Sequence, residues 1–349
     1  MKLRQFKSEK CTVYKFTVYG GKKTLRPYTV HRKPLTTVLL FLALASSLSG
    51  CGATYSRNQF IPAVKQLCQQ EYGLDVSVQI VGRTLGVYLP LDKLLDSTLQ
   101  IPLEARKKLA DVVLATSRVV LSTYLPLDFY VVVAQDQRIL GTELRLTRYI
   151  PDIRRFSYGD LSHGEFSQRM LFDIDLGFTD LLGKKDPTFR LEEVKLPNFL
   201  AGQIARRIET KFKEDPPLKE RFELKASQSR FSPYRAQTEG WGLSKGRYGD
   251  FIFALDVKSR GLGLATALSE EDVKEIYNTA LALIAAVLHS YQFEAFDTVE
   301  IHVIGTEHPL ILDRELLELY RRKKVRLNDL LTPNHFNLSS PDPQPLFNQ

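Results

Sequence analysis

The chain has 349 residues with 48 basic and 40 acidic side chains, a formal charge of +8. Residues 1–50 hold ten of the basic groups and one of the acidic ones, so residues 51–349 carry 38 against 39 and are close to neutral. This placement excludes a nucleic-acid footprint or an anionic-lipid patch as the meaning of the basic balance. Of the three cysteines, only Cys51 and Cys68 follow the first fifty residues, which excludes a disulfide scaffold. The remaining length, about 300 residues, suffices for two modest domains with cores of their own.

In chain order, Arg32 and Lys33 precede an apolar run from Leu35 to Leu48, and small residues lead into Cys51. A positive head, a short apolar segment and small residues at a cleavage point form a secretory signal. The run is shorter than the roughly 20 residues a spanning helix needs. Leu48-Ser49-Gly50-Cys51 resembles the lipobox of bacterial lipoproteins. That resemblance implies cleavage between Gly50 and Cys51, a diacylated Cys51 sulfur and an acylated new amino group. Several acyl chains anchor a protein stably. Gly52 stands where aspartate often marks inner-membrane retention, so the resemblance leans towards the outer membrane, with the body facing the periplasm. The head before the apolar run is long, and a start at Val30 would shorten it to Val30, His31, Arg32 and Lys33.

Residues 51–59 are expected to form a lipidated tether, with ordered structure from Phe60. Ile61, Val64, Leu67 and Cys68 recur at helical spacing over 60–72, which makes Cys68 a small core residue. Alternation at Val76, Val78, Ile80 and again at Leu85, Val87, Leu89 predicts a hairpin across Gly82-Arg83. A helix is expected from Leu103 to Thr123, then a strand over 129–134 and another carrying Ile139, Leu144 and Leu146. The region 163–249 is less regular, with a strand over 172–176, a helix over 199–212, a breaker at Asp215-Pro216-Pro217 and Gly-rich text around Trp241.

From residue 250 the plan repeats. Phe251, Phe253, Leu255 and Val257 alternate, Gly261 and Gly263 supply a turn, and Ser269 with Asp272 predicts a capping box. A helical stripe from Val273 to Leu288 follows, then a strand over 299–304 and an apolar segment at 310–312. Asp128 to Asp160 covers 32 residues and Asp297 to Asp329 the same 32. The expectation is an α+β fold of duplicated ββαββ-like units, 60–162 and 250–331, with helices packed on antiparallel sheet. Residues 163–249 then connect the units and residues 332–349 form a disordered tail.

Candidate chemistry is sparse. Asp173 and Asp175 share a strand face, but Phe172, Ile174 and Leu176 alternate with them, so they mark a wet face rather than a cation site. His302 and His308 flank Gly305 with Glu307 between them, and no third ligand is specified; His163 and His289 stand apart. No nucleophile elbow appears, and Gly240-Trp241-Gly242 and Gly261-Leu262-Gly263 lack the phosphate-cradle pattern. Arg206-Arg207 and Arg321-Arg322-Lys323-Lys324 sit in helical text with nearby glutamates, which suits a solvated face. Trp241 is the one candidate interface anchor. Together these features predict a lipid-anchored envelope protein without cofactor or metal, a binding or assembly module with an envelope protein as partner. The alternatives are a hydrolase whose site is assembled by folding from the scattered histidines, and a solute-binding transport component.

Overall fold

The computed structural model describes residues 55–139, 141–176, 191–233, 248–260 and 268–331. Gly50, Cys51, Trp241, the 261–263 turn and the expected tail lie outside the described residues. The fold is α+β. Its first half runs α1 (Arg57–Tyr72), β1 (Ser77–Val81), β2 (Thr84–Leu91), α2 (Leu103–Leu121), β3 (Phe129–Asp136) and β4 (Glu143–Tyr149). Short α3 (Ile150–Ser157) and α4 (His163–Gln168) lead to β5 (Leu171–Asp175). The second half runs α5 (Leu196–Glu214), α6 (Pro216–Arg221), β6 (Phe222–Pro233), β7 (Gly249–Ser259) and α7 (Glu270–Ser290). It ends with β8 (Thr298–Val303), β9 (Leu310–Asp313), α8 (Arg314–Arg321) and α9 (Leu327–Leu330).

The strands form two sheets, β1-β2-β3-β4-β5 and β6-β7-β8-β9. Both are mixed rather than antiparallel as expected, because β2 pairs with β3 and β7 with β8 in parallel. The cause is the helix between each pair of hairpins. A chain that leaves one strand and crosses over through a helix of about 20 residues returns to the same end of the sheet, so its next strand runs the same way. The central strand β3 accordingly has all of its first six residues buried, where alternation would expose every second one.

Three boundaries also differ from expectation. Helix α1 begins at Arg57, and Tyr55 already bridges to Thr123, so ordered structure starts nearer the N-terminus than Phe60. The strand after Asp136 begins at Glu143, leaving Ile139 exposed before it. The region 163–249 is divided between the sheets, not set apart from them. Strand β5 closes the first sheet, while α5 and β6 open the second half and β6 is the hairpin partner of β7. Gly249 turns into β7 at φ 132°, where a Cβ would meet the Ser232 carbonyl oxygen at 2.5 Å.

Each half has its own core. In the first, α1 and α2 cover one face of the sheet, with Phe60, Val64 and Cys68 meeting Val87, Leu89 and Val132. Burial pushes the Cys68 thiol up to about 11. In the second, α5 and α7 cover the sheet with Ile204, Ile208, Ile284 and Leu288 against Phe253, Leu255 and Ile301. Helix α7 starts at the expected capping box, the Ser269 hydroxyl accepting from the Asp272 amide and the Asp272 carboxylate from the Ser269 amide. Helix α5 also reaches the opposite face of the first sheet. Phe199 lies 5.0 Å from Phe129, ring to ring, and at Gly202 a Cβ would stand 3.0 Å from Leu171.

Candidate functional site

Alternation along β4 places Leu144, Leu146 and Arg148 on the sheet face that carries the first core. Opposite them, α2 has two stripes. Leu109, Val112, Thr116 and Val119 are buried against the sheet, whereas Ala110, Val113, Leu114, Ser117 and Leu121 lie on the flank. Leu114 is 53% exposed. Beyond β4 the chain turns into α3 and α4, whose Phe156 and Phe166 stack at 4.2 Å. Between the α2 flank and this aromatic pair runs a groove of about 610 Å³, floored by Leu146, Met170 and Phe172. That size is within the range of small-molecule sites, about 300–1,000 Å³.

The polar groups along this groove are unevenly satisfied. Ser117 donates to the Val113 carbonyl at 2.7 Å and lies 3.0 Å from the buried Tyr130 hydroxyl. Ser157 donates to the Ile153 carbonyl at 2.8 Å. Arg118 pairs with Glu71. Arg148 is different. Its guanidinium lies 4.4 Å from the Phe166 ring centre, and its buried Nε has no hydrogen-bond partner. Among the described residues neither Arg148 nor Arg106 forms an ion pair or side-chain hydrogen bond. The groove is thus lined by three arginines and no carboxylate. Sequence reasoning missed Arg148. The signal was an arginine at the apolar phase of a strand, two residues after Leu146.

On the far side of α3 most of the polar groups close on one another, although the Arg169 Nε is buried without a hydrogen-bond partner. Asp152 accepts from Arg169 Nη1 at 2.8 Å, and Arg169 Nη2 donates to Glu165 at 2.7 Å. The Arg169 guanidinium sits 4.6 Å from the Tyr291 ring centre, and the Tyr291 hydroxyl lies 2.7 Å from Asp152 Oδ2 and 3.0 Å from Gln203 Oε1. Gln203 in turn donates to the Arg169 carbonyl. The Asp152 and Arg169 side chains are 4% and 2% exposed. Burial alone would lower the Arg169 pKa, but the carboxylates outweigh it and the net direction is up. Burial first, and then Asp152, raise the Tyr291 hydroxyl. This cluster ties α3 and α4 of the first half to α5 and α7 of the second.

A second cleft, of about 550 Å³, lies between the end of α7 and α8. Part of its charge is paired internally. Glu318 accepts from Arg321 at 2.7 Å and from Arg322 at 2.6 Å, and Arg314 donates to the Glu294 carbonyl at 3.0 Å. Those two arginines hold the Glu318 carboxyl at about 2.

Among the described residues the histidines do not converge. His163 edges onto Phe156, His289 is exposed at the end of α7, and His302 meets Glu300 at 3.3 Å on the outer face of β8. Asp173 and Asp175 are exposed on the edge strand β5. Among the described residues no three His, Cys, Asp or Glu side chains are grouped to hold a metal ion, and no helix is long and apolar enough to cross a membrane. Arg206 is exposed, whereas Arg207 has Nε and one Nη buried without a partner beside the Tyr291 cluster. No family model, curated protein or solved structure matches this chain.

Proposed function

We propose that this chain is a lipid-anchored protein of the bacterial envelope, held by Cys51 at a membrane, with a body that faces the periplasm as a binding or assembly module. The observation that carries the binding role is the groove beside α2, an apolar channel whose floor presents an unpartnered guanidinium. The lipobox supports the location. The two halves share the order helix, hairpin, crossover helix, hairpin, short helices, and Asp128 and Asp297 accept and donate alike. The Asp128 amide donates to the Arg83 carbonyl and its own carbonyl accepts from Ile150; Asp297 does the same with Gly249 and Arg314. We take this as support for a duplicated unit, α-β-β-α-β-β with trailing helices.

The anchor is tested by intact mass and membrane fractionation of the wild type beside Cys51→Ala, both produced in a bacterium with lipoprotein machinery. A triacylated N-terminus at Cys51 and an unlipidated mutant are expected. A soluble, unmodified wild type would remove the anchor.

A further inference from the structure

The groove's chemistry is specific enough to name an occupant, given that the groove is the binding site proposed above. We infer that it holds the single acyl chain of a fatty acid, with the carboxylate on Arg148 and the chain lying along α2. Four observations combine. First, the wall from Arg106 to Leu121 is helical and about 22 Å long at 1.5 Å per residue. The chains of one bilayer leaflet reach about 15 Å, half the hydrocarbon thickness, so a long acyl chain fits end to end. Second, Leu114, an exposed leucine, lies on that wall in continuity with the floor at Leu146 and Phe172, so the channel is open to a ligand arriving from outside.

Third, the hydroxyls of Ser117 and Ser157 are already bonded within the protein. An extended peptide laid in this channel would find no free hydroxyl on its floor to pair the amides and carbonyls it buries. A ligand with one polar end and no other polar atoms leaves nothing unsatisfied. Fourth, the lining carries three arginines and no carboxylate, and Arg148 has a buried Nε without a partner. One guanidinium presents a planar fork that matches the two oxygens of one carboxylate. Stacking on Phe166 holds that fork in place without using its donors.

The test uses the full chain as a bacterium produces it, placed in phosphatidylcholine nanodiscs and exposed to a photoactivatable palmitate probe. Trypsin cuts after Lys108 and Arg118, so the α2 wall appears as the peptide Leu109–Arg118. That peptide should carry the label, and unlabelled palmitate should compete it away. Loss of the charge-assisted fork predicts at least about ten-fold less label in Arg148→Leu, and loss of the carboxylate charge at least about ten-fold less for the matching neutral alcohol probe. Leu114→Glu, a change at an exposed helical position that leaves the sheet untouched, should lose label to a similar degree. Equal labelling by the alcohol, undiminished labelling of Arg148→Leu, or label confined to residues 285–322 would overturn the assignment. Stronger labelling by a phosphate-headed probe would overturn the carboxylate. The intact mass of the same sample separates the two ideas. Label in Leu109–Arg118 on an unlipidated chain defeats only the envelope anchor, and an anchored chain without label defeats only the fatty acid.

Discussion

Arg148 and Arg169 lie on either side of α3, each with its guanidinium over an aromatic ring, at 4.4 Å from Phe166 and 4.6 Å from Tyr291. They differ in their anions. Arg169 meets Asp152 and Glu165, and its surroundings join two halves of the body. Arg148 meets none among the described residues. A guanidinium that finds its counter-charge inside the protein acts as a fastener. One placed on an apolar floor without a counter-charge is open to an anion from outside. The α8 cleft sharpens the contrast, because it is nearly as large as the groove yet has Glu318 to neutralise Arg321 and Arg322.

The comparison breaks most directly at Asp152. Asp152→Ala leaves the Arg169 charge buried with only Glu165, at the half-exposed end of the cluster. Removing one partner of a buried ion pair costs about 3–5 kcal/mol, a large share of a total stability of about 5–15 kcal/mol, so the urea midpoint should fall in proportion. A loss below about 1 kcal/mol would mean that the cluster is not a fastener. Tyr291→Phe keeps the ring beneath Arg169 and removes the hydroxyl that Asp152 and Gln203 share, so a loss of about 1–2 kcal/mol is expected in the same assay. Arg148→Leu should move the midpoint by less than about 1 kcal/mol, since it forfeits a cation–π contact but relieves a desolvated, unpaired nitrogen. A cost as large as that of Asp152→Ala would make Arg148 a structural residue and remove the contrast.

Much of the local structure was legible in the sequence, and the reasons are local too. The 3.6-residue stripes of α1, α2, α5 and α7 predict those helices, and Ser269 with Asp272 marks the start of α7 because both partners of that cap lie within three residues. Strand β6 escaped. Its residues Phe222 to Pro233 are mostly polar because the strand is a sheet edge with little buried surface, so no alternation announces it. Strand direction escaped as well, since alternation assigns faces and is silent on which way a strand runs. Arg148 was readable in principle as a charge in apolar phase, but its meaning depends on what stands opposite. Only folding brings Phe166 and the α2 flank to it, and the Asp152–Tyr291 contact joins residues 139 positions apart.

The smallest effect separates the two clefts by pH. Hydrogen bonds from Arg321 and then Arg322 lower the Glu318 carboxyl from its ordinary 4.5 to about 2. A carboxyl whose folded pKa is depressed stabilises above its unfolded value and loses that contribution as pH falls through the folded one. The wild type should therefore exceed Glu318→Gln in urea midpoint by a small, constant margin near neutral pH. That margin should shrink between about 4.5 and about 2 and be gone below it. Because the pair is exposed, added salt should narrow it at every pH. Arg148 has no carboxylate to protonate among the described residues, so the difference between wild type and Arg148→Leu should stay flat across the same window. A pH-dependent margin at Arg148 would reveal an internal anion in the groove, and the two clefts would then differ only in the distance to their counter-charge.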